Sequence, residues 1–278
     1  MKNIFSDFLL SPGTDEYTRI FVIGFPSRQN NFVPLLGLIG YPLSHSFSRR
    51  YFREHFARTG LSDWDYQLFP IESATAMPAL FAERPELHGL NVTIPHKEAV
   101  VPLLHRLHPT AAAVGAVNTI KREGKELVGY NTDVIGFGQA LQDLLGDASE
   151  IRALVLGTGG AAKAVRYVLE QADIPYQSVS RSATKGDLTY HELSHQDLTD
   201  HRLLINTTPL GMAPHTEAAP DLPYAALTSQ HFLYDLIYNP AETVFLKHGI
   251  RAGATTANGL RMLELQAEGS WKIWNEVV

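Results

Sequence analysis

Along this chain, short apolar runs alternate with segments whose apolar residues recur every three or four positions. The run Leu35-Leu36-Gly37-Leu38-Ile39-Gly40 has the length and glycine punctuation of a buried strand, and Phe52 and Phe56 follow at i, i+4 before Gly60. A second passage repeats the theme. Ala153-Leu154-Val155-Leu156 runs into Gly157-Thr158-Gly159-Gly160-Ala161, after which Ala161, Ala162, Val165, Val168 and Leu169 mark one helical face. Near the far end, Leu260, Leu263, Ala267, Trp271 and Trp274 share a face behind the Asn258-Gly259 break. Strands alternating with helices predict an α/β architecture of parallel, helix-covered sheets. Residues 1–34 differ: a turn cluster, Ser11-Pro12-Gly13-Thr14-Asp15, precedes an apolar run from Ile20 to Phe25 that reads as an edge strand. Nothing in this N-terminal extension suggests chemistry.

Length and composition narrow the classes. At 278 residues there is room for two modest domains or one large one, and the texture places a boundary near Asp133. The 23 basic residues against 29 acidic ones give a net charge of −6, the wrong sign for a protein that neutralises phosphate backbones, so no nucleic-acid partner is expected. The absence of cysteine removes disulfides, thiolate metal sites and cysteine nucleophiles together; no metal site is expected, and a reducing cytosol suits the chain. No run approaches the roughly 18 apolar residues of a membrane span, and Asp7 interrupts any signal-like core. The expectation is a cytoplasmic protein with no membrane partner.

The glycine-rich turn between a buried strand and a helix is the first candidate site. Glycines let the backbone approach a pyrophosphate, and a helix N-terminus offers unpaired N–H groups and partial positive charge. The spacing of Gly157, Gly159, Gly160 and Ala161 varies the usual dinucleotide fingerprint, and such turns also serve as bare connections. Roughly 20 residues on, where binders of the unphosphorylated dinucleotide place an acid, stand Ser180, Arg181 and Ser182 after the strand Gln177-Ser178-Val179. A guanidinium pairs with a 2′-phosphate and serines donate to it, while Lys185 adds a second cation. By itself Arg181 reads equally as part of a solvated turn; after this glycine turn it points to NADP(H).

Between residues 40 and 133, hydroxyls and amides sit among apolar residues: His45-Ser46-Phe47-Ser48, Asn91-Val92-Thr93-Ile94-Pro95-His96-Lys97, Gly115-Ala116-Val117-Asn118-Thr119 and Asn131-Thr132-Asp133. Singly, each has a structural reading. Ser46 or Ser48 could cap the helix of Phe52, Asn118 or Asp133 could cap or turn, and Lys97 could be a surface lysine behind a helix-starting proline. Together they suit a small polyhydroxylated acid, which needs many neutral donors and acceptors around one cation and one carboxylate.

In their order, these segments resemble the shikimate dehydrogenase family, together with Asn206-Thr207-Thr208, Gly211-Met212, Tyr234-Asp235-Leu236-Ile237-Tyr238 and Asn258-Gly259-Leu260 running to Gln266. The resemblance extends from about Leu35 to the C-terminus. It implies reversible NADPH-dependent reduction of 3-dehydroshikimate to shikimate, in chorismate and aromatic amino acid biosynthesis, by a monomer or homodimer. It also implies Lys97 and Asp133 as the catalytic pair, and Ser46, Ser48, Thr93, Asn118, Tyr238 and Gln266 against the substrate. The cofactor positions fall on Gly157, Gly159, Gly160, Ala161, Ser180, Arg181, Ser182, Lys185, Leu236 and Gly259. The implied fold is a two-domain α/β protein. An N-terminal substrate domain (35–133 and 256–278) accompanies a Rossmann-type doubly wound NADP domain (134–255), the last helix returning to the first domain. A quinate/shikimate or aminoshikimate dehydrogenase is the alternative within the family, and a ligand sensor lacking catalysis the alternative outside it; retention of Lys97 and Asp133 argues against the sensor. Two departures stand out. Arg49 replaces a usual proline, which would loosen the helix start, and Pro109 replaces a frequent acid, which would loosen a cofactor-side contact.

Overall fold

The structure, a computed structural model, describes residues 33–43 and 47–275; the strand expected over Ile20 to Phe25 falls outside them. Among the described residues, two six-stranded sheets form the scaffold. The first contains β1 (Leu35–Gly40), β2 (Asp65–Pro70), β3 (Leu87–Val92), β4 (Arg106–Leu107), β5 (Thr119–Glu123) and β6 (Glu126–Tyr130), in the order β2-β1-β3-β5-β6-β4. Every residue of β1 is buried because both faces of the sheet are covered. Leu35 and Ile39 join the core under α2 (Met77–Glu83), while Leu36 and Leu38 face Phe52 and Phe56 of α1 (Phe47–Thr59). That explains the unbroken apolar run.

The expectation of a wholly parallel first sheet requires correction. β1 is parallel to β2 and β3, but β5 runs antiparallel to both β3 and β6. Gly124 and Lys125 join β5 directly to β6, with Gly124 at φ +61, and a connection this short permits only an antiparallel return. α3 (Pro109–Val114) fills the space between β4 and β5, and Pro109 occupies its first turn behind a His108 cap. The replacement of an acid by Pro109 thus serves helix initiation here.

The second sheet is parallel throughout: β7 (Ala153–Leu156), β8 (Tyr176–Ser180), β9 (Leu188–Thr189), β10 (Leu203–Asn206), β11 (Phe232–Asp235) and β12 (Thr255–Ala257), in the order β12-β11-β10-β7-β8-β9. The chain winds outward from β7 in one direction and from β10 in the other, so their C-terminal ends flank the crevice where doubly wound sheets take ligands. α5 (Gly160–Gln171), α6 (His195–Asp200) and α7 (Val244–Arg251) cover this sheet. On α5, Ala162, Val165, Val168 and Leu169 are buried as the pattern predicts, whereas Ala161 stays half-buried at the turn.

Two long helices knit the sheets together. α4 (Asp133–Leu145) leaves the first sheet, and α8 (Leu260–Asn275) follows β12, lies along α4 and reaches β3 and β5, where Trp274 Nε1 donates to the Ile120 carbonyl at 3.0 Å. The buried face of α8 is Met262, Gln266, Ala267, Ser270 and Trp274, rotated from the expected apolar stripe; Leu260 is exposed. The rotation arises because α8 turns polar side chains inward, onto groups of the first sheet that need partners.

Candidate active site

The Lys97 turn begins where β3 ends. No helix starts at Pro95; instead His96 N donates to the Thr93 carbonyl at 2.9 Å, and the His96 ring is bonded to the Ile71 carbonyl at 2.7 Å. Val117 N donates to the Lys97 carbonyl at 2.8 Å, tying this turn to the strand that carries Asn118. The backbone therefore places Lys97 over the first residue of α4. There Lys97 Nζ donates to Asp133 Oδ2 at 2.7 Å, with the two side chains 18% and 6% exposed. Asp133 sits at the positive end of the α4 dipole. Its other oxygen, Oδ1, accepts from Asn118 Nδ2 at 2.8 Å.

Of the expected substrate contacts, Asn118 and Gln266 adjoin this pair. Gln266 Oε1 accepts from Asn118 Nδ2 at 3.4 Å, and Thr93 precedes Lys97 in the same turn. Ser48 lies within the first turn of α1, one residue beyond its first, so it does not occupy the cap position; Ser46 falls outside the described residues. Tyr238 comes from the second sheet's side and meets Phe47 edge-on, the ring centroids 5.8 Å apart. Partial burial raises the Tyr238 hydroxyl pKa, with Arg50 opposing the rise. The structure thus joins Lys97, Asp133, Asn118 and Gln266 by hydrogen bonds, and sets Tyr238 beside the residue preceding Ser48.

The cofactor side begins at Gly157, whose φ of +108 favours glycine and whose missing side chain leaves room for Thr207 and Thr208 at the end of β10. At Gly159 an added Cβ would meet nothing within 4 Å, which leaves an open cradle over the α5 N-terminus. Gly160 lies against the Lys97 turn: its Cβ position is 3.7 Å from Lys97 Cβ and from Glu98 Oε1. Glu98 in turn accepts from Lys163 Nζ of α5 at 2.6 Å. Gly259 approaches the Leu236 carbonyl so closely that a side chain would strike it, and Gly259 N donates to the Ile237 carbonyl at 3.1 Å. After β8, Ser180 is buried, Ser182 N donates to Ser180 Oγ at 3.2 Å, and Arg181 and Lys185 are exposed. Asp187, a few positions further on, accepts from Ser178 N at 2.7 Å.

Some participants carry no sequence signal. Tyr66 and Ser270 read as ordinary core positions, yet the first donates to Asn91 and the second is bonded to Asn91, Thr119 and Thr132. Asn91 and Thr132 lie inside the quoted segments without an assigned role. Glu98 and Lys163, 65 positions apart, meet only through the fold. Behind the site, Asp235 at the end of β11 is wholly buried and accepts from Asn206, Thr243 and Ile237 N. Burial pushes its carboxyl up to about 6 against those donors.

Known proteins resemble this chain in sequence and fold. Residues 38–120 match the model of the shikimate dehydrogenase substrate binding domain. The NADP(+) shikimate dehydrogenase of Carboxydothermus hydrogenoformans is 37% identical over 267 residues, covering 90% of this chain and 94% of the relative. That of Crocosphaera subtropica is 39% identical over 262 residues, covering 86% and 90%. Among solved structures, the Thermus thermophilus enzyme in complex with NADP(H) and shikimate superposes with a TM-score of 0.78 at 28% identity, covering 88% of this chain and 94% of that one. Identity at this level across nearly the whole of both partners reaches well past a shared fold, and this chain belongs to the shikimate dehydrogenase family.

Proposed function

We propose that the chain is a shikimate dehydrogenase, reducing 3-dehydroshikimate to shikimate reversibly with NADP(H) in aromatic amino acid biosynthesis. The observation that carries this reading is the enclosed Lys97–Asp133 pair lying against the glycine turn of the second sheet. Dinucleotide and ketone can meet there. In this reading residues 35–133 and 256–278 form the substrate domain, residues 134–255 form the cofactor domain, and the protein works in the cytosol as a monomer or homodimer.

The open cradle at Gly159 and the close approach of Gly259 to Leu236 fit a dinucleotide. Gly157, Gly159, Gly160 and Ala161 would hold its pyrophosphate at the α5 N-terminus, with Leu236 and Gly259 beside its nicotinamide. Ser180, Arg181, Ser182 and Lys185 would hold a 2′-phosphate. The diversion of Asp187 toward Ser178 removes the acid that would repel it, favouring NADP over NAD. When bound, the cofactor supplies a hydride to the carbonyl carbon.

The chain's own residues do the rest. Lys97 presents an N–H donor where negative charge develops on the carbonyl oxygen, and the Lys97–Asp133 pair supplies the proton that completes the alcohol. Asp133 orients Lys97, and Asn118 orients Asp133. Ser46, Ser48 and Tyr238 offer neutral hydroxyls to the substrate carboxylate, while Thr93 and Gln266 serve the ring hydroxyls.

NADPH absorbance with shikimate and NADP+ tests the assignment. Wild type should reduce NADP+, and Lys97→Ala should lower kcat by about a hundredfold or more with little change in KM, because a donor aimed at the developing oxyanion acts mainly in the transition state. No turnover of shikimate by wild type, or a raised KM at unchanged kcat in Lys97→Ala, overturns it.

A further inference from the structure

Glu98, the residue after Lys97, reaches across the seam between the two sheets. Its Oε2 accepts from Lys163 Nζ of α5 at 2.6 Å, and its Oε1 lies 3.7 Å from the Cβ position of Gly160, the first residue of α5. A carboxylate there lies beside the positive end of the α5 dipole, so the helix and the ammonium attract it together. Lys163 Nζ also lies 4.0 Å from the Cβ position of Gly115, which ends α3 and leads to Asn118. Within the first sheet, Val117 N donates to the Lys97 carbonyl at 2.8 Å. The pair thus meets the first sheet where the segment of Lys97 is tied to the segment of Asn118, and Asn118 in turn donates to Asp133. It meets the second sheet in the first turn of the helix whose N-terminus carries the glycine cradle. Both side chains stay partly exposed and take no part in either apolar core.

We propose that Glu98 and Lys163 are positioning residues: their ion pair sets the spacing between Lys97 and the nucleotide cradle on α5, and with it the alignment of hydride donor and carbonyl. The proposal rests on the reading of Lys97 and Asp133 as the reacting pair and of Gly157 to Ala161 as the cradle. α4 and α8 hold the sheets together on their own account, so the pair is not required for folding. It removes slack between the reacting groups, where small displacements cost most. Loss of either charge frees the other, so the two act as a unit, and salt that screens the attraction imitates the loss.

The test begins without cofactor. The chain has no cysteine, so Lys125→Cys and Gln171→Cys, both at exposed positions, take a pair of spin labels that reports the distance between the first sheet and α5. Adding Glu98→Gln should widen that distribution of distances, and about 1 M salt should widen it as far in the labelled parent. An unchanged distribution overturns the proposal. The second readout is the single-turnover rate of NADP+ reduction at saturating shikimate by the unlabelled full chain. Glu98→Gln and Lys163→Gln should each lower it about threefold, as an exposed pair allows, with KM for both substrates within about twofold of wild type. The double variant should be no slower than either single variant, because the partners act only through each other. At about 1 M salt wild type should slow to the rate of Glu98→Gln, while Glu98→Gln keeps its own rate. Unchanged rates in both single variants, or additive losses in the double, overturn the proposal. So does a raised KM for NADP+ at unchanged rate in Lys163→Gln, which would make that lysine a phosphate contact, and so do rates that merely follow the fraction of folded protein. A wild-type rate in Lys97→Ala would instead overturn the underlying assignment, and this proposal with it.

Discussion

Arg181 stands exposed on the turn after β8, next to the buried Ser180, and Asp187, six positions on, is engaged by Ser178 N. An exposed side chain of this kind can be altered with little effect on folding. Arg181→Ala should weaken NADP+ by roughly ten- to a hundredfold, the worth of a charge-assisted pair with a phosphate, and NAD+ by about twofold or less. Equal losses for both dinucleotides in a titration would make Arg181 structural. At this scale the sequence was legible wherever a residue announces its chemistry through its neighbours. Lys97 and Asp133, singled out within distinctive segments, meet in the structure, and the glycine turn leaves the open position at Gly159. Tyr66 and Ser270 were not legible, because an aromatic on a strand and a serine on a helix are indistinguishable from packing residues until burial brings Asn91 between them.

Among the elements, β11 shows how a strand end supports the site. Asp235 closes β11, and its three donors fix the turn leading to Leu236 and Tyr238. Its carboxyl, pushed by burial to about 6, binds a proton in the folded protein that the unfolded chain, with an ordinary carboxylate value near 4, has already released. The folded state therefore holds more protons across that window, and stability falls as pH rises through it. The unfolding free energy of wild type relative to Asp235→Asn should decline between about pH 4 and about pH 6, by on the order of 3 kcal/mol, then level off. A flat difference across that range would show that the buried carboxyl titrates as it does in water. Element type was readable where periodicity was strong, as in β1, β7 and α5. The β5–β6 hairpin escaped because the Gly124-Lys125 connection is a weak signal among ordinary charged neighbours. The face of α8 was misjudged by about one position because its inward polar side chains are invisible to a pattern built on apolar ones.

As a whole molecule, the protein is two sheets meeting across a seam, where α4 lies along α8 and Glu98 is clasped to Lys163. The side chains of Lys163 and Glu98 are 30% and 50% exposed, so solvent screens their attraction. A double-mutant cycle with Glu98→Gln and Lys163→Gln should give a coupling of about 0.5 kcal/mol in unfolding at low salt, vanishing near 1 M salt. Coupling that survived high salt would mean that the pair is sealed from water. No helix among the described residues is long and apolar enough to cross a membrane. The larger hold on the first sheet comes from α8, whose Ala267 and Trp274 join Leu36, Phe52, Phe56 and Tyr66 in one cluster. This arrangement bears on how the chain is made. Ile120 and Trp274 are 154 positions apart, an interval that a ribosome adding about 5 to 20 residues per second covers in roughly ten to thirty seconds. Throughout that interval the aromatic face of the first sheet waits uncovered, open to chaperones or to neighbouring nascent chains. Weakening Phe52 or Trp274 would accordingly register first in the yield of soluble enzyme, ahead of any change in its turnover.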